Sequence, residues 1–548
     1  MRRPRSPRTV VVWLSVYLLV AANWALWLQL IKLGEVPAVY WRSIGAVALL
    51  VLAANLALLS VTAWSRGWVK WLWVALLLVA GLVQHYMLAY SVVMDPTMLA
   101  NTVQTDWQET RDLLGWRLAF MMLVVTLPAA LPMARIRLAR FTWWGQLWRN
   151  ALLFLVALVL AGVALLTSSR ELAPLMRNNP QLRYMMNPVS SVYSMALVKL
   201  RPLFTRPRRL IAITAGSTLG ASYAAQIKPP LLLLVVGETA RADHFALNGY
   251  GRDTTPELAR RRVLSWRNVR SCGTNTLASV PCMFSPLGKQ AFESRDDDYE
   301  NLLDVAQAAG LAVLWIENQA GGCKGVCARV PTQLAWDGLT PALKSELCEG
   351  DECLDDVLLQ NLDQRLAALP AERRARGVLL VMHQMGSHGP AYYKRSPPAA
   401  KVFRPECGTN VLADCTQDQL INAYDNSIVY TDRFLGLAID WLKDRSTDFD
   451  TGLLYLSDHG ESLGEFGLFL HGLPYSMAPD VQKHVPMVAW FLGGIAERRR
   501  LSLECLGRTL DAPLTHDNLY HEVLGLLDVK TPTYKPELDA FASCRDGN

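Results

Sequence analysis

Hydrophobic positions are distributed along this chain in two different ways. As far as Leu166 they run nearly unbroken, in stretches at 10–31, 44–64, 68–93, 118–133 and 151–166. Most of these are long enough to cross a hydrocarbon core as helices. The fourth is the shortest and carries Pro128 and Pro132, whose freed backbone groups neighbouring helices can satisfy. The reading is a transmembrane domain of five helices over residues 1–168. Beyond Pro230 the apolar runs become short, at 231–236, 311–316, 378–382, 453–456 and 485–492, and they alternate with helical patterns such as the one from Ile428 to Leu442. Strand and helix alternation predicts a largely parallel sheet covered on both faces, hence an α/β domain over residues 230–548. Between the two, residues 169–229 interleave Met176, Tyr184, Met185, Met186, Tyr193 and Met195 with Arg and Asn. That mixture reads as amphipathic helices on a membrane surface followed by a linker. A linker packed on the soluble domain is the alternative.

Charge orients this layout, because Lys and Arg are retained on the cytoplasmic side. Arg2, Arg3, Arg5 and Arg8 precede the first span, Arg66 and Lys70 separate the second from the third, and Arg135, Arg137, Arg140 and Arg149 separate the fourth from the fifth. The loop with Asp95, Asp106, Glu109 and Asp112 is acidic. An odd number of spans leaves the N-terminus inside and everything after Leu166 outside. The first span is too long for a signal peptide and lacks a small-residue cleavage site. All ten cysteines fall in the outside portion, where disulfides form. The close pairs Cys272/Cys282, Cys323/Cys327, Cys348/Cys353 and Cys407/Cys415 leave Cys505 and Cys544 to join each other, although sequence alone does not fix connectivity. The net charge of +6 sits mostly in the cytoplasmic loops and gives no reason to invoke nucleic acid.

Candidate chemistry gathers at strand ends. Asp458-His459-Gly460 follows the run 453–457, and Glu238 follows the run 231–236. Active sites of open α/β sheets lie at the carboxyl ends of their strands, so these residues can converge. Two oxygen ligands and one nitrogen suit zinc, with a fourth position for a reacting oxygen. A hydroxyl-rich loop, Ser271 to Cys282, contains Thr274 and Thr276. A threonine hydroxyl needs a metal or base to become a nucleophile; the bland alternative is a helix N-cap cluster. His388 and His471 occupy loops after strands, suited to binding phosphoryl oxygens or a second metal. Lys324, between Cys323 and Cys327, can add fixed positive charge there. Cys323-x3-Cys327 as a metal site is disfavoured, since no second Cys or His pair with zinc-ribbon spacing accompanies it.

Five ordered motifs, Gly237-Glu238-Thr239-Ala240-Arg241-Ala242-Asp243-His244, Ser271-Cys272-Gly273-Thr274 through Pro281-Cys282-Met283-Phe284, Gly386-Ser387-His388-Gly389-Pro390, Tyr424-Asp425-Asn426-Ser427 and Ser457-Asp458-His459-Gly460-Glu461-Ser462-Leu463-Gly464, resemble the lipid A phosphoethanolamine transferases, which include the mobile colistin resistance enzymes. The resemblance implies an alkaline phosphatase/sulfatase-like fold for the soluble domain. It also implies zinc held by Glu238, Asp458, His459 and the oxygen of Thr276, which matches the family nucleophile four residues after Cys272. His388 and His471 match histidines of substrate handling or of a second zinc, and Lys324 matches a position associated with the phosphoryl group. The flanks of the nucleophile, Asn275-Thr276-Leu277-Ala278, depart from the best-known sequences, which bears on pocket shape. Asn101, Thr105 and Glu109 recur at four-residue intervals, share one face if helical, and resemble a polar set in the family's membrane domain that would bind the donor. A solvated helix face is the plainer account.

By the same resemblance the chain is an inner-membrane enzyme with its catalytic domain in the periplasm. It transfers phosphoethanolamine from phosphatidylethanolamine to a lipid A phosphate through a threonine intermediate, implying polymyxin/colistin resistance. A monomer is the expected assembly, with membrane lipids as its surroundings. Alternatives are an acceptor in the lipopolysaccharide core or a periplasmic glucan, and a lipid sensor without catalysis, against which the intact Glu238, Thr276, Asp458 and His459 argue. A sulfatase is disfavoured because no Cys or Ser followed by x-Pro-x-Arg occupies the nucleophile loop.

Overall fold

In the computed structural model, residues 4–545 are described apart from 34–36, 65, 105–109, 112, 205, 225, 320, 351 and 492–493. Thr105 and Glu109 lie outside the described residues. The chain divides into two compact units, Met1–Val103 with Leu114–Arg206, and Gln104–Leu113 with Pro207–Asn548.

In the first unit the apolar runs form helices, the one open-ended structure that satisfies its own backbone in lipid. Trp41–Thr62, Val69–Tyr90, Trp116–Arg135 and Trp143–Ser169 are each long and apolar enough to cross a membrane. The first run is not one straight helix: Pro7–Ala21 and Trp24–Lys32 meet at a bend of 46°. A buried asparagine pair, Asn23 and Asn187, sits at the break. Asn23 Nδ2 donates to Leu18 O and Asn187 O, both at 2.8 Å, and Asn187 Nδ2 donates to Ala22 O at 3.0 Å and Ala80 O at 2.7 Å. The Asn187 amide thereby supplies a donor to Ala22 O at the bend and ties it to the neighbouring helix at Ala80. The proline-bearing run stays continuous through a π-helical turn, Met122–Thr126, just before Pro128. Its wider winding accommodates a residue that lacks an N–H and crowds the preceding turn.

The second unit is built on an eight-stranded sheet. In chain order its strands are β1 (Pro230–Gly237), β2 (Leu264–Arg270), β3 (Ala312–Glu317), β4 (Thr332–Leu334), β5 (Val378–His383), β6 (Asp450–Ser457), β7 (His484–Trp490) and β8 (Leu514–Thr515). They lie in the spatial order β8-β2-β7-β6-β1-β5-β3-β4. The stretch β6-β1-β5-β3-β4 is parallel, whereas β7 pairs antiparallel with both β6 and β2. Every residue of β1 is buried, which is why it reads as a continuous apolar run rather than an alternation. Each such leucine contributes about 2 kcal/mol by leaving water. The predicted strands are all present, although Leu492 of the last one is outside the described residues. The amphipathic stretch from Ile428 to Leu442 is part of a longer helix, Gln417–Asp444, opened by a Thr416/Gln419 capping box. The five disulfides join the expected neighbours: Cys272–Cys282, Cys323–Cys327, Cys348–Cys353, Cys407–Cys415 and Cys505–Cys544.

Candidate metal centre and nucleophile

Strand register brings the acidic residues together. β1 and β6 are adjacent and parallel, with Gly237 opposite Ser457, so Glu238 and Asp458 leave the same sheet edge side by side. Gly237 is required here, since a Cβ on it would lie 2.4 Å from the Tyr455 hydroxyl. Glu238, Asp458 and His459 are fully buried, and one ligand atom from each lies within 4.8 Å of the others.

The geometry of this cluster suits a cation. His459 Nδ1 is 2.9 Å from Gly460 O, an acceptor, so Nδ1 carries the hydrogen. Nε2 then faces Glu238 Oε1 at 3.2 Å and Asp458 Oδ2 at 3.4 Å. In a neutral imidazole that nitrogen is a lone pair aimed at two carboxylates, a repulsive arrangement unless a proton or metal ion intervenes. With protons alone, burial would lower the His459 pKa, but Asp458 and Glu238 raise it to about 10. Burial and the Glu238 charge push Asp458 up to about 6. Burial works against ionisation of Glu238, yet its contact with His459 holds it below the usual carboxylate range. A divalent cation bound by the two carboxylates and Nε2 would displace the imidazole proton. The donor set, two oxygens and one nitrogen, fits zinc.

Thr276 opens the helix Thr276–Met283, whose N-cap Asn275 accepts from Ala278 N at 3.0 Å. Its hydroxyl donates to Glu238 Oε2 at 3.1 Å, which places it against the cluster. Thr274 is occupied elsewhere, donating to Leu473 O at 2.6 Å. Two braces hold the loop that carries Thr276: the Cys272–Cys282 disulfide, and His516, whose Nδ1 accepts from Cys272 N while Nε2 meets Ser457 O, both at 3.0 Å. Burial pushes the His516 pKa down to about 3, so it stays neutral in this bridge.

His388 and His471 join the cluster as a contiguous imidazole row. The His459 and His471 rings are 4.4 Å apart and those of His471 and His388 5.3 Å. Burial lowers the His388 pKa to about 3. Lys324 is in a left-handed conformation within the Cys323–Cys327 loop and lines a cavity together with Leu277 and Pro281 of the Thr276 helix. Asn101 lies on the helix Pro96–Gln104.

Comparison with known proteins decides the family. Residues 49–201 match the family model described as phosphoethanolamine transferase EptA/EptB, and residues 230–529 match the sulfatase model. The chain is 38% identical over 474 residues to phosphoethanolamine transferase EptA of Escherichia coli K12, covering 86% of this chain and 84% of that protein. It is 35% identical to the phosphatidylethanolamine transferase Mcr-1 of Escherichia coli, over 97% of each. The solved structure of the integral membrane lipooligosaccharide phosphoethanolamine transferase A from Neisseria meningitidis superposes with a TM-score of 0.91 at 30% identity, covering 98% of both chains. The chain belongs to the phosphoethanolamine transferase family. It joins a membrane domain of at least four apolar helices to a sulfatase/alkaline phosphatase-like domain.

Within this transferase the structure gives roles to residues to which the sequence assigns none. Glu461, fully buried, sits 3.3 Å from His471 Nδ1 through Oε2 and orients that ring. Its signal was its place three residues after Asp458. His383, at the end of β5, lies 2.9 Å from Glu317 through Nδ1, and Trp315 Nε1 donates to the same carboxylate. Arg241 clamps the loop after β1, bonding Asp243 through two nitrogens and reaching Glu461 O at 3.2 Å and Glu465 at 2.5 Å.

Gly386 tests how tightly Glu238 is backed. Its φ is +53°, and a Cβ there would lie 2.6 Å from Glu238 O. Gly386→Ala is expected to cost at least about 1–2 kcal/mol from the left-handed backbone alone and to shift Glu238, lowering zinc content by elemental analysis. Full zinc content with wild-type thermal stability would show that the contact is slack.

Proposed function

We propose that this transferase moves phosphoethanolamine from phosphatidylethanolamine to a lipid A phosphate through a phosphoethanolamine-threonine intermediate. The observation that carries the reading is the Thr276 hydroxyl at 3.1 Å from Glu238 beside Asp458 and His459. Zinc held by Glu238, Asp458, His459 and the Thr276 oxygen would supply a lowered hydroxyl pKa and a charge for the phosphoryl oxygens. Thr276 Oγ1 attacks the donor phosphorus as the bond from phosphorus to the diacylglycerol oxygen breaks, and the proton given up by Thr276 leaves on that oxygen. A lipid A phosphate oxygen then attacks the same phosphorus, the bond to Thr276 breaks, and the hydroxyl is restored. His388, His471 and Lys324 hold phosphoryl oxygens, with His471 fixed by Glu461. Such transfer rests on positioning and charge stabilisation, which matches a site of buried carboxylates, imidazoles and a lysine.

The setting proposed is the bacterial inner membrane, with five spans counting the bent pair as one, residues 1–168 as membrane domain, 169–229 as surface helices and linker, and 230–548 in the periplasm. Asn101, Thr105 and Glu109 serve the donor, Glu109 by capturing its ammonium group. Added ethanolamine cations reduce the negative charge of the outer surface, which is the route to polymyxin and colistin resistance. Mass spectrometry of lipid A from cells with and without the chain tests the acceptor. Lipid A is expected to gain phosphoethanolamine. Unmodified lipid A alongside a modified core sugar or glucan would move the reading to that acceptor.

A further inference from the structure

Leu277 and Pro281, one turn apart on the helix that Thr276 opens, line a cavity of about 610 Å³, within the range of sites for small molecules. Its lining carries four cationic side chains, Arg208, Arg295, Lys324 and Arg329, against two carboxylates, Asp298 and Glu300. These charges are unevenly matched. Arg208 and Arg295 share one oxygen, Asp298 Oδ1, each at 3.3 Å. Arg329 is paired outside the lining, with Asp304 at 2.8 and 2.5 Å. Glu300 already accepts two backbone N–H groups, from Ile213 at 2.8 Å and Thr214 at 3.1 Å. Lys324 is tied into no ion pair among the described residues. Burial and the adjacent Arg208 charge both press on Arg295, lowering its pKa, a crowding of like charge that a bound anion relieves.

The donor does not account for this surplus. Phosphatidylethanolamine is a zwitterion whose single anionic group is the phosphodiester that must reach Thr276. A lipid A acceptor is a polyanion, and only one of its phosphates reacts at a time. We infer that the cavity beside the Thr276 helix receives a second anionic group of the acceptor glycolipid, gripped by Arg208 and Arg295, while the reacting phosphate is presented to the nucleophile. This rests on the transferase reading above and gives it a selectivity device. Guanidinium groups suit the task, because their fixed forks bond phosphate or carboxylate oxygens through two nitrogens. The donor, with its single anionic group engaged at Thr276, has no second anion to offer them.

The two half-reactions separate this idea from its rivals. Full-length enzyme in detergent micelles is given phosphatidylethanolamine alone, and the phosphoethanolamine-threonine adduct is followed. Lipid A bearing one phosphate or two is then added. Arg208 has a side chain 46% exposed, so Arg208→Ser should fold normally; Arg295→Gln is the second variant. Both are expected to form the adduct at the wild-type rate and to raise KM for the bisphosphorylated acceptor about 10-fold, the loss of one charge-assisted hydrogen bond, with little change for the monophosphorylated one. A slowed donor step would hand the cavity to the donor phosphate and overturn the inference. Unchanged KM, or equal loss with both acceptors, would overturn it as well. A wild type that forms no adduct would sink the threonine-intermediate reading on which this inference rests, and this inference with it.

Discussion

Thr276→Ala is expected to abolish transfer, lowering kcat by about 10⁴- to 10⁶-fold, the range seen when an enzyme loses its nucleophile, while Thr274→Ala keeps most of its activity. Both hydroxyls are buried in the same loop and only two residues apart, so composition does not separate them. Geometry does: Thr276 donates to Glu238 Oε2 at 3.1 Å, whereas Thr274 donates to Leu473 O at 2.6 Å and so ties the loop to its neighbour. Thr274→Ala should cost about 1 kcal/mol of stability for that hydrogen bond and leave the chemistry in place. Steady-state transfer to lipid A and thermal unfolding of both variants give the comparison. Equal loss of activity in two folded variants would leave the nucleophile unassigned.

The second large effect concerns the cluster itself. Of the proposed zinc ligands, Asp458 loses its negative charge in Asp458→Asn and His459 its ligating nitrogen in His459→Ala, and each change should weaken zinc binding by about 100-fold, since losing even an outer partner of a ligand costs about 10- to 100-fold. Zinc should raise the wild-type unfolding temperature and leave those of the variants nearly unmoved, because only a folded state that binds the ion is stabilised by it. The wild type should also show a pH dependence of known sign. His459 is cationic below about pH 10 in the metal-free cluster, and zinc must displace that proton. Apparent affinity should therefore fall about tenfold for each unit of pH lost between about pH 9 and 7. It should fall more steeply as Asp458 begins to protonate near pH 6. Zinc titrations showing a flat affinity across this range, or full zinc content in either variant, would contradict the ligand assignment.

Much of this site was legible because fully buried parallel strands announce themselves as apolar runs. Once 231–236 and 453–457 were read as strands, Glu238, Asp458 and His459 had to emerge at carboxyl ends. Sequence did not say that these strands are neighbours in register. β2 was missed for a physical reason: Leu264–Arg270 carries Arg267, Asn268 and Arg270, and is only partly buried in a sheet region where it pairs with antiparallel β7. The direction of β7 was equally hidden, since an apolar run looks the same both ways. The bend in the first membrane run depends on Asn23 meeting Asn187 across 164 residues, a contact with no local signal. His516 shows the same limit in the site: it braces Cys272 and Ser457 from a segment whose sequence marks nothing chemical. Arg208 and Arg295 are scattered basic residues in the sequence, and only the fold sets them with Lys324 around one cavity.

Between donor and acceptor, the proposed mechanism has a phosphoethanolamine group resting on Thr276. Purified full-length protein loaded with zinc and mixed with phosphatidylethanolamine, acceptor withheld, should gain the mass of one phosphoethanolamine. Peptide mapping should place that mass on Thr276, and adding lipid A should remove it as the product appears. An unmodified Thr276 during steady transfer, or a stable modification on Thr274 or another residue that lipid A does not discharge, would contradict the account.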